Sequence, residues 1–478
     1  MPQSSLKTLK VGSHIHLMGI CGTAMASLAG LLKDRGFVVS GSDLNPYPPM
    51  STQLESLGIK IARPYRKENL DPKPDFVIVG NVISANNEEA QEMVKLNLQF
   101  CSLPQAMGEF IIGGRDSYVI SGTHGKTTTT SLLSWVAEKC GKKPGFLIGG
   151  IAKNFSQSFK NPLADTFIIE GDEYDTAYFD KVPKFIHYRP KHVLLTSVEF
   201  DHADIYKDFT AVKVAFVTLM KLIPQDGSLV YWGDDENVRK ISDSCEVKNK
   251  FSYGLIDGVD YQAKNLNLKN GRTAFDVFFR GGKLEHFVTE MTGSFNILNA
   301  TAVIAQVHIQ KWNLQNVKIA MESFSGVKRR QEILGEYGGV ILIEDFAHHP
   351  TAVKETVKAI QAKYAGHKVF SVFEPRSATS RRKIFQKEYV EAFRQADETL
   401  IAQAFDQGKI DEADRFSTDE LISDLIALKK SAKLFKSADL IVDDLVARTK
   451  KGDVILIMSN GGFDGIYTKL ITKLNQRN

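Results

Sequence analysis

Three times along the chain a short apolar run stops at glycines or polar residues and gives way to a helical pattern. The first run, His14-Ile-His-Leu-Met18, ends at Gly19-Ile-Cys-Gly22 and leads into a helix over 26–35. Phe37-Val-Val-Ser-Gly41 follows, and later Phe76-Val-Ile-Val79, closed by Gly80-Asn81. The second series begins at Val119-Ile-Ser-Gly122, opens a helix from Thr127 to about Lys139, and continues with Phe167-Ile-Ile-Glu170 and Val193-Leu-Leu-Thr-Ser-Val198. The third holds Val340-Ile-Leu-Ile-Glu-Asp345, Val369-Phe-Ser-Val-Phe-Glu374 and Asp453-Val-Ile-Leu-Ile-Met-Ser459. Apolar strands alternating with helices predict α/β domains on mainly parallel sheets. Ligands in such sheets sit beyond the carboxyl ends of the strands, where these runs stop.

The chain has 478 residues, and at roughly 150 residues per domain this suggests about three domains. The pattern places them at 1–112, 113–325 and 326–478: Rossmann-like, P-loop and Rossmann-like. The lysine-rich run Lys429-Lys430-Ser-Ala-Lys433-Leu-Phe-Lys436 is expected to be a solvated helix-and-loop face.

Hydrophobic residues make up 43% and charged residues 24%, with a net charge of +4. No long basic tract accompanies that charge, which argues against nucleic acid or a membrane surface as partner. The four cysteines (Cys21, Cys101, Cys140, Cys245) are far apart and lack metal-finger spacing, and no apolar run reaches membrane-span length. A reduced, cytoplasmic protein without secretion signal or membrane span is the expectation.

The richest chemistry lies in Gly122-Thr123-His124-Gly125-Lys126-Thr127-Thr128. A strand, a Gly-rich turn and a helix N-terminus converge backbone N–H groups on a phosphate. Lys126 adds a charge, and the Thr127 hydroxyl can ligate Mg2+. Glu170, closing an apolar strand, stands where a second Mg2+ ligand belongs. His202, among the acids Glu199, Asp201 and Asp204, suits a second metal ion. Asn296 and Asn299 share a helix face and could read an adenine edge. Arg330 could reach phosphate across a domain joint. Gly19, Gly22 and Thr23, with Asp43 about 20 residues on, are similar to a dinucleotide fingerprint but lack its full GxGxxG. That turn accepts a dinucleotide or another diphosphate equally well. A regulatory GTPase would need an Asn-Lys-x-Asp sequence, which is absent. A dehydrogenase would leave residues 119–204 without a purpose.

Taken in order, Gly122-Thr-His-Gly-Lys-Thr-Thr128, Glu170-Gly-Asp-Glu173, Glu199-Phe-Asp-His202, Asn296-Ile-Leu-Asn299, Arg329-Arg330 and Glu344-Asp-Phe-Ala-His348-His349-Pro350 resemble the Mur ligases, the ATP-dependent amide-forming enzymes of peptidoglycan synthesis. Within the family the N-terminal Gly19–Met25 stretch with Gly41-Ser-Asp43 looks like the branch that uses UDP-N-acetylmuramate, and Phe216 stands where other branches carry a carbamylated lysine. Tyr47-Pro-Pro-Met-Ser-Thr52, Glu173-Tyr-Asp-Thr-Ala-Tyr-Phe-Asp180 with the extension 181–189, Glu374-Pro-Arg-Ser377 and Met458-Ser-Asn-Gly-Gly-Phe463 resemble the member that attaches the recovered tripeptide L-alanyl-γ-D-glutamyl-meso-diaminopimelate. The alternative is the member that adds L-alanine in new synthesis.

The resemblance implies ATP and Mg2+, with Lys126, Glu170, His202 and His348 catalytic, and Thr127, Glu170 and His202 on metal. It implies Gly122–Thr128, Asn296 (adenine), Arg330 (phosphate) and Asp345 (ribose side) on ATP. The UDP-sugar falls to Gly19, Gly22, Thr23, Asp43 and Asn81, and the acceptor to Arg376 and Asn460.

Overall fold

The short apolar strands of the first segment all run parallel, as their lack of polar alternation requires. In a computed structural model describing residues 9–46, 48–203 and 205–477, they are β1 (His14–Met18), β2 (Val38–Ser42), β3 (Ile61–Ala62), β4 (Phe76–Val79) and β5 (Phe100–Ser102). Tyr47 and Asp204, named in the motifs above, lie outside the described residues. The order β3-β2-β1-β4-β5 reverses direction between β1 and β4. A crevice opens at such a switch point, and here it is rimmed by the Gly19–Gly22 turn and by Gly80-Asn81. Gly19 has φ +78°, and a Cβ on it would lie 2.9 Å from Val82 Cγ2, so the turn admits no side chain. The helix after it, Thr23–Asp34, buries every residue from Met25 to Leu32. It docks on the next segment, with Gly30 against the Phe159 ring and Ser27 Oγ 2.8 Å from Ser158 Oγ.

The second segment carries β6 (Asp116–Ser121), β7 (Gly145–Ala152), β8 (Gln157–Lys160), β9 (Thr166–Gly171), the small hairpin β10 (Asp175–Ala177) and β11 (Asp180–Pro183), then β12 (His192–Leu195), β13 (Ser228–Trp232), β14 (Asn249–Gly254), β15 (Tyr261–Lys269), β16 (Arg272–Phe279) and β17 (Gly282–Thr289). Ten of these form one sheet, β17-β16-β15-β14-β13-β12-β6-β9-β7-β8. Its middle is parallel, while β15 to β17 form an antiparallel meander at one edge and β8 turns back at the other. The parallel middle brings the ends of β6, β9 and β12 side by side.

The third sheet has β18 (Glu332–Tyr337), β19 (Val340–Asp345), β20 (Val369–Phe373), β21 (Glu398–Ala402), β22 (Ser431–Phe435) and β23 (Val454–Met458), in the order β18-β19-β23-β20-β21-β22, with only β18 antiparallel. The lysine-rich run over 429–436 is therefore not a helix-and-loop face. It contains the edge strand β22, in which Ala432 and Leu434 are half-buried while Lys433 points out to Asp444 at 3.0 Å. A lysine within the strand and others at its ends suit an edge, where charge discourages pairing with another chain.

Candidate active site

A cavity of about 820 Å3 lies where the three sheets meet, lined from all three segments. The strand β6 delivers the phosphate turn into it, and the helix Lys126–Lys139 leaves from it. Gly125 at the helix N-terminus has φ +83°, and a Cβ there would stand 2.6 Å from Asn299 Oδ1. The loop thus presses on the helix Ser294–Ile309, which carries both asparagines on its buried side.

Lys126 Nζ donates to the Gly122 carbonyl at 2.6 Å and to Glu173 Oε2 at 3.1 Å, and lies 3.9 Å from Asp172 Oδ1. Burial works against its charge, but Glu173 and Asp172 outweigh it and hold the ammonium above the usual lysine range. Thr127 Oγ1 donates to Glu170 Oε2 at 3.0 Å, and Gly149 N–H donates to the other carboxylate oxygen. Burial, helped by Asp172, pushes Glu170 up from the ordinary carboxylate range. A hydroxyl and a carboxylate oxygen this close are the hard donors Mg2+ takes.

In the loop beyond β12, His202 adopts φ +53°, packs with its ring tilted 47° against Tyr174 and places Nε2 3.8 Å from Glu173 Oε1. Its N–H donates to Asp201 Oδ1 at 2.7 Å, which also accepts from Thr379 Oγ1 at 2.6 Å. Despite burial, His202, His348 and His349 hold Asp201 well below the usual carboxylate range.

The third segment enters the cavity through Arg330, Asp345 and His348. Arg330 packs 4.5 Å from the Phe346 ring centroid and reaches Thr127 Oγ1 at 3.5 Å. Its neighbour Arg329 turns away to Glu344 at 2.7 Å and to the Gly461 carbonyl at 2.7 Å, acting as a strut. Asp345 accepts from the N–H groups of Gln331 and Ala347, each at 2.7 Å. His348 Nδ1 donates to the carbonyl of Phe346, two residues back, at 2.9 Å, which puts the ring's lone pair on Nε2, and burial lowers its pKa.

Of the residues named from sequence, Gly22, Thr23, Asn81, Thr123, His124, Gly125, Lys126, Thr127, Thr128, Glu170, His202, Asn296, Arg330, Asp345 and His348 line this cavity. Gly122 contributes its carbonyl to Lys126, and Asp43 braces the first turn by accepting from Cys21 N–H at 2.9 Å. Gly19 shapes the same turn. Arg376 and Asn460 do not line the cavity. The Arg376 guanidinium lies 3.7 Å from the Phe405 ring centroid and 3.3 Å from Glu374 Oε1, while Asn460 Oδ1 is buried without a partner. Phe216 lies in the core, 6.4 Å from Phe185, and faces no part of the cavity.

Two features went unread. Lys184, at the end of the hairpin β10–β11, is buried on the cavity wall, 3.0 Å from Asp172 Oδ2 and 4.0 Å from the Tyr174 ring centroid. The extension 181–189 was the only signal for it. Glu199 lies between His124 and His349, 3.6 Å from each, a pairing that no spacing in the sequence announces. No helix among the described residues is long and apolar enough to cross a membrane.

Residues 14–115 match the Mur ligase family catalytic domain, 120–307 the Mur ligase middle domain and 329–461 the Mur ligase glutamate ligase domain. The chain is 36% identical over 463 residues to the UDP-N-acetylmuramate–L-alanyl-gamma-D-glutamyl-meso-2,6-diaminoheptandioate ligase of Haemophilus influenzae, covering 96% of this chain and 99% of that protein. The same-named enzyme of Escherichia coli is 36% identical over 466 residues, covering 97% and 98%. Among solved structures, a murein peptide ligase from Psychrobacter arcticus superposes with TM-score 0.74 at 33% identity, over 98% of this chain and 100% of that one. A UDP-N-acetylmuramate-alanine ligase from Thermotoga maritima shares the fold, with TM-score 0.81 at 21% identity over 97% and 99% of the two chains. With all three of its domains matched in order, the chain belongs to the Mur ligase family.

Proposed function

We propose that the chain is the ATP-dependent ligase that joins the lactyl carboxylate of UDP-N-acetylmuramate to L-alanyl-γ-D-glutamyl-meso-diaminopimelate, recovering the tripeptide for peptidoglycan. The observation that carries this reading is 36% identity, over 96% of the chain, to a relative named for that reaction. The lactyl carboxylate attacks the γ-phosphorus of ATP, releasing ADP and leaving an acyl phosphate. The tripeptide's α-amine then attacks the carbonyl carbon, and phosphate departs. Phosphoryl transfer of this kind depends on positioning and charge neutralisation rather than on covalent help from the protein.

In our assignment Lys126 and the backbone of 122–128 hold the β- and γ-phosphates, Arg330 neutralises the transferring group, Asn296 meets adenine and Asp345 the ribose side. Thr127 and Glu170 would hold one Mg2+ and His202 a second, which when bound supply positive charge at the phosphate oxygens. Gly19, Gly22, Thr23, Asp43 and Asn81 receive the UDP-sugar. The free Nε2 of His348 can take the proton that the attacking amine loses. Arg376 and Asn460 remain our candidates for the acceptor's carboxylates, a role that requires closure of segment 326–478 over 1–112 and 113–325. Closure also excludes water from the acyl phosphate. Substrates of this kind place the reaction in the cytoplasm.

The test supplies UDP-N-acetylmuramate and ATP with either the tripeptide or L-alanine and measures phosphate release. Release that follows the tripeptide is expected; release with L-alanine alone would reassign the chain to the alanine-adding reaction.

A further inference from the structure

We propose that His124, Glu199 and His349 form a site for a transition-metal ion of the zinc and cobalt class, separate from the Mg2+ ligands. His124 Nε2 and His349 Nδ1 each lie 3.6 Å from Glu199 Oε2, and the three atoms fall within 4.8 Å of one another. Two imidazoles and one carboxylate, with a fourth position open, form the donor set that zinc takes in catalytic sites. Mg2+ prefers oxygen ligands throughout.

The ligands are oriented from behind. His124 is fixed through its backbone: its N–H donates to Ser197 Oγ at 3.0 Å and its carbonyl accepts from Thr196 Oγ1 at 2.6 Å. Its Nε2 is buried and, among the described residues, has no hydrogen-bond partner. His349 is 2% exposed and donates Nε2–H to the Phe200 carbonyl at 3.2 Å, which puts the lone pair on Nδ1, the nitrogen that faces Glu199. Such support behind a histidine is what fixes a metal ligand's tautomer. Thr351 N–H also approaches that Nδ1, at 3.3 Å, a long contact that an ion would replace. Thr351 Oγ1 donates to Glu199 Oε2 at 2.6 Å and holds the carboxylate in place.

Zn–N bonds of about 2.0–2.1 Å put tetrahedral donors about 3.3 Å apart. The carboxylate therefore needs to approach each imidazole by only a few tenths of an ångström, and rotation of the two rings, now 4.6 Å apart and tilted by 48°, closes the remainder. A second cleft, lined by Glu355, Glu388 and Glu391 together with Lys354 and Lys387, opens onto Glu199 and His349 and gives a cation a route in along a wall of mixed but mainly acidic charge. His124 belongs to the phosphate turn and His349 caps the helix Pro350–Lys363 of the third segment. An ion here ties those two segments together and resists the opening that product release requires.

The test is independent of turnover. Co2+ is titrated into the full chain without nucleotide in excess Mg2+, and the visible bands of tetrahedral cobalt are followed. One equivalent should bind and be displaced by Zn2+. His124→Gln and Glu199→Gln, checked for folding by circular dichroism, should each weaken binding by at least about 100-fold, the upper cost of losing even an outer-shell partner. His202→Ala should retain the bands. Absence of bands in the natural protein, their survival in His124→Gln or Glu199→Gln, or their loss in a folded His202→Ala protein would overturn the site.

Discussion

Arg330 Nη2 lies 3.5 Å from Thr127 Oγ1, so a guanidinium from the start of the third segment already touches the phosphate turn of the second. Burial lowers its pKa, while Asp345 and Glu170 favour its charge. A buried cation aimed at a phosphate turn stabilises charge that grows during transfer. Arg330→Ala should therefore reduce kcat by about 100- to 1000-fold, in the range of a lost transition-state donor. Arg330→Lys should recover little, because an ammonium does not reproduce the planar fork or its packing on Phe346. Steady-state kinetics with all three substrates measure this, and an unaltered kcat in the alanine variant would remove Arg330 from the reaction.

Lys126 carries two duties that separate experimentally. Its ammonium serves the phosphates, and it also neutralises Glu173, whose side chain is 3% exposed. Lys126→Ala should abolish tripeptide-dependent ADP release while UDP-sugar binding by calorimetry persists. It should also lower stability by about 3–5 kcal/mol, the cost of stranding one partner of a buried pair. Adding Glu173→Gln should restore much of the stability and none of the ADP release. Recovery of turnover in the double variant would count against the phosphate role.

The phosphate turn was legible because its chemistry is local: strand, glycines, Lys126 and Thr127 are contiguous, and backbone geometry follows from them. Glu170 was legible for the same reason, as an acid closing an apolar strand. Lys184 was not, because its meaning comes from Asp172 across a hairpin, and nothing in the spacing from 172 to 184 reveals that fold-back. Glu199 and His349 are 150 positions apart in sequence and meet only through docking of the third segment. The run at 429–436 was misread because its lysines dominate the pattern, although Ala432 and Leu434 keep a strand's period of two. The meander β15–β17 gave no signal that was read, since its alternation is broken by polar positions on both faces.

Asp172 lies between two ammonium groups, 3.0 Å from Lys184 and 3.9 Å from Lys126. Lys184 thereby satisfies Asp172 and leaves Lys126 freer to turn toward phosphate. Lys184→Met should let Asp172 draw on Lys126 instead, raising KM for ATP by about tenfold, the equivalent of 1.4 kcal/mol, and KM for the UDP-sugar by less. Asp172→Asn in the same chain should reverse the rise. A fall in melting temperature with both KM values unchanged would make Lys184 a structural strut only.

Acid stability should be governed in part by buried histidines, one of which, His192, lies outside the site. His192 packs 4.5 Å from Tyr118 and its Nδ1 lies 2.9 Å from Ser228 Oγ. Burial lowers its pKa from 6.5 to about 4. The unfolded chain therefore takes up a proton near the ordinary value that the folded chain refuses until far lower pH. Stability from the neutral ring is complete above the upper limit of that window and is lost as the pH falls through it. At pH 5 the loss amounts to about 2 kcal/mol for this group. His349, also lowered to about 4, acts in the same direction, whereas Glu199, held at about 2, loses its contribution only at lower pH. His192→Phe keeps an aromatic ring on Tyr118 and leaves Ser228 bonded to Gln306 at 3.0 Å. Urea unfolding at pH 7 and pH 5 should show a smaller drop for this variant than for the natural chain, by about that amount; equal drops in the two proteins would assign the pH dependence elsewhere.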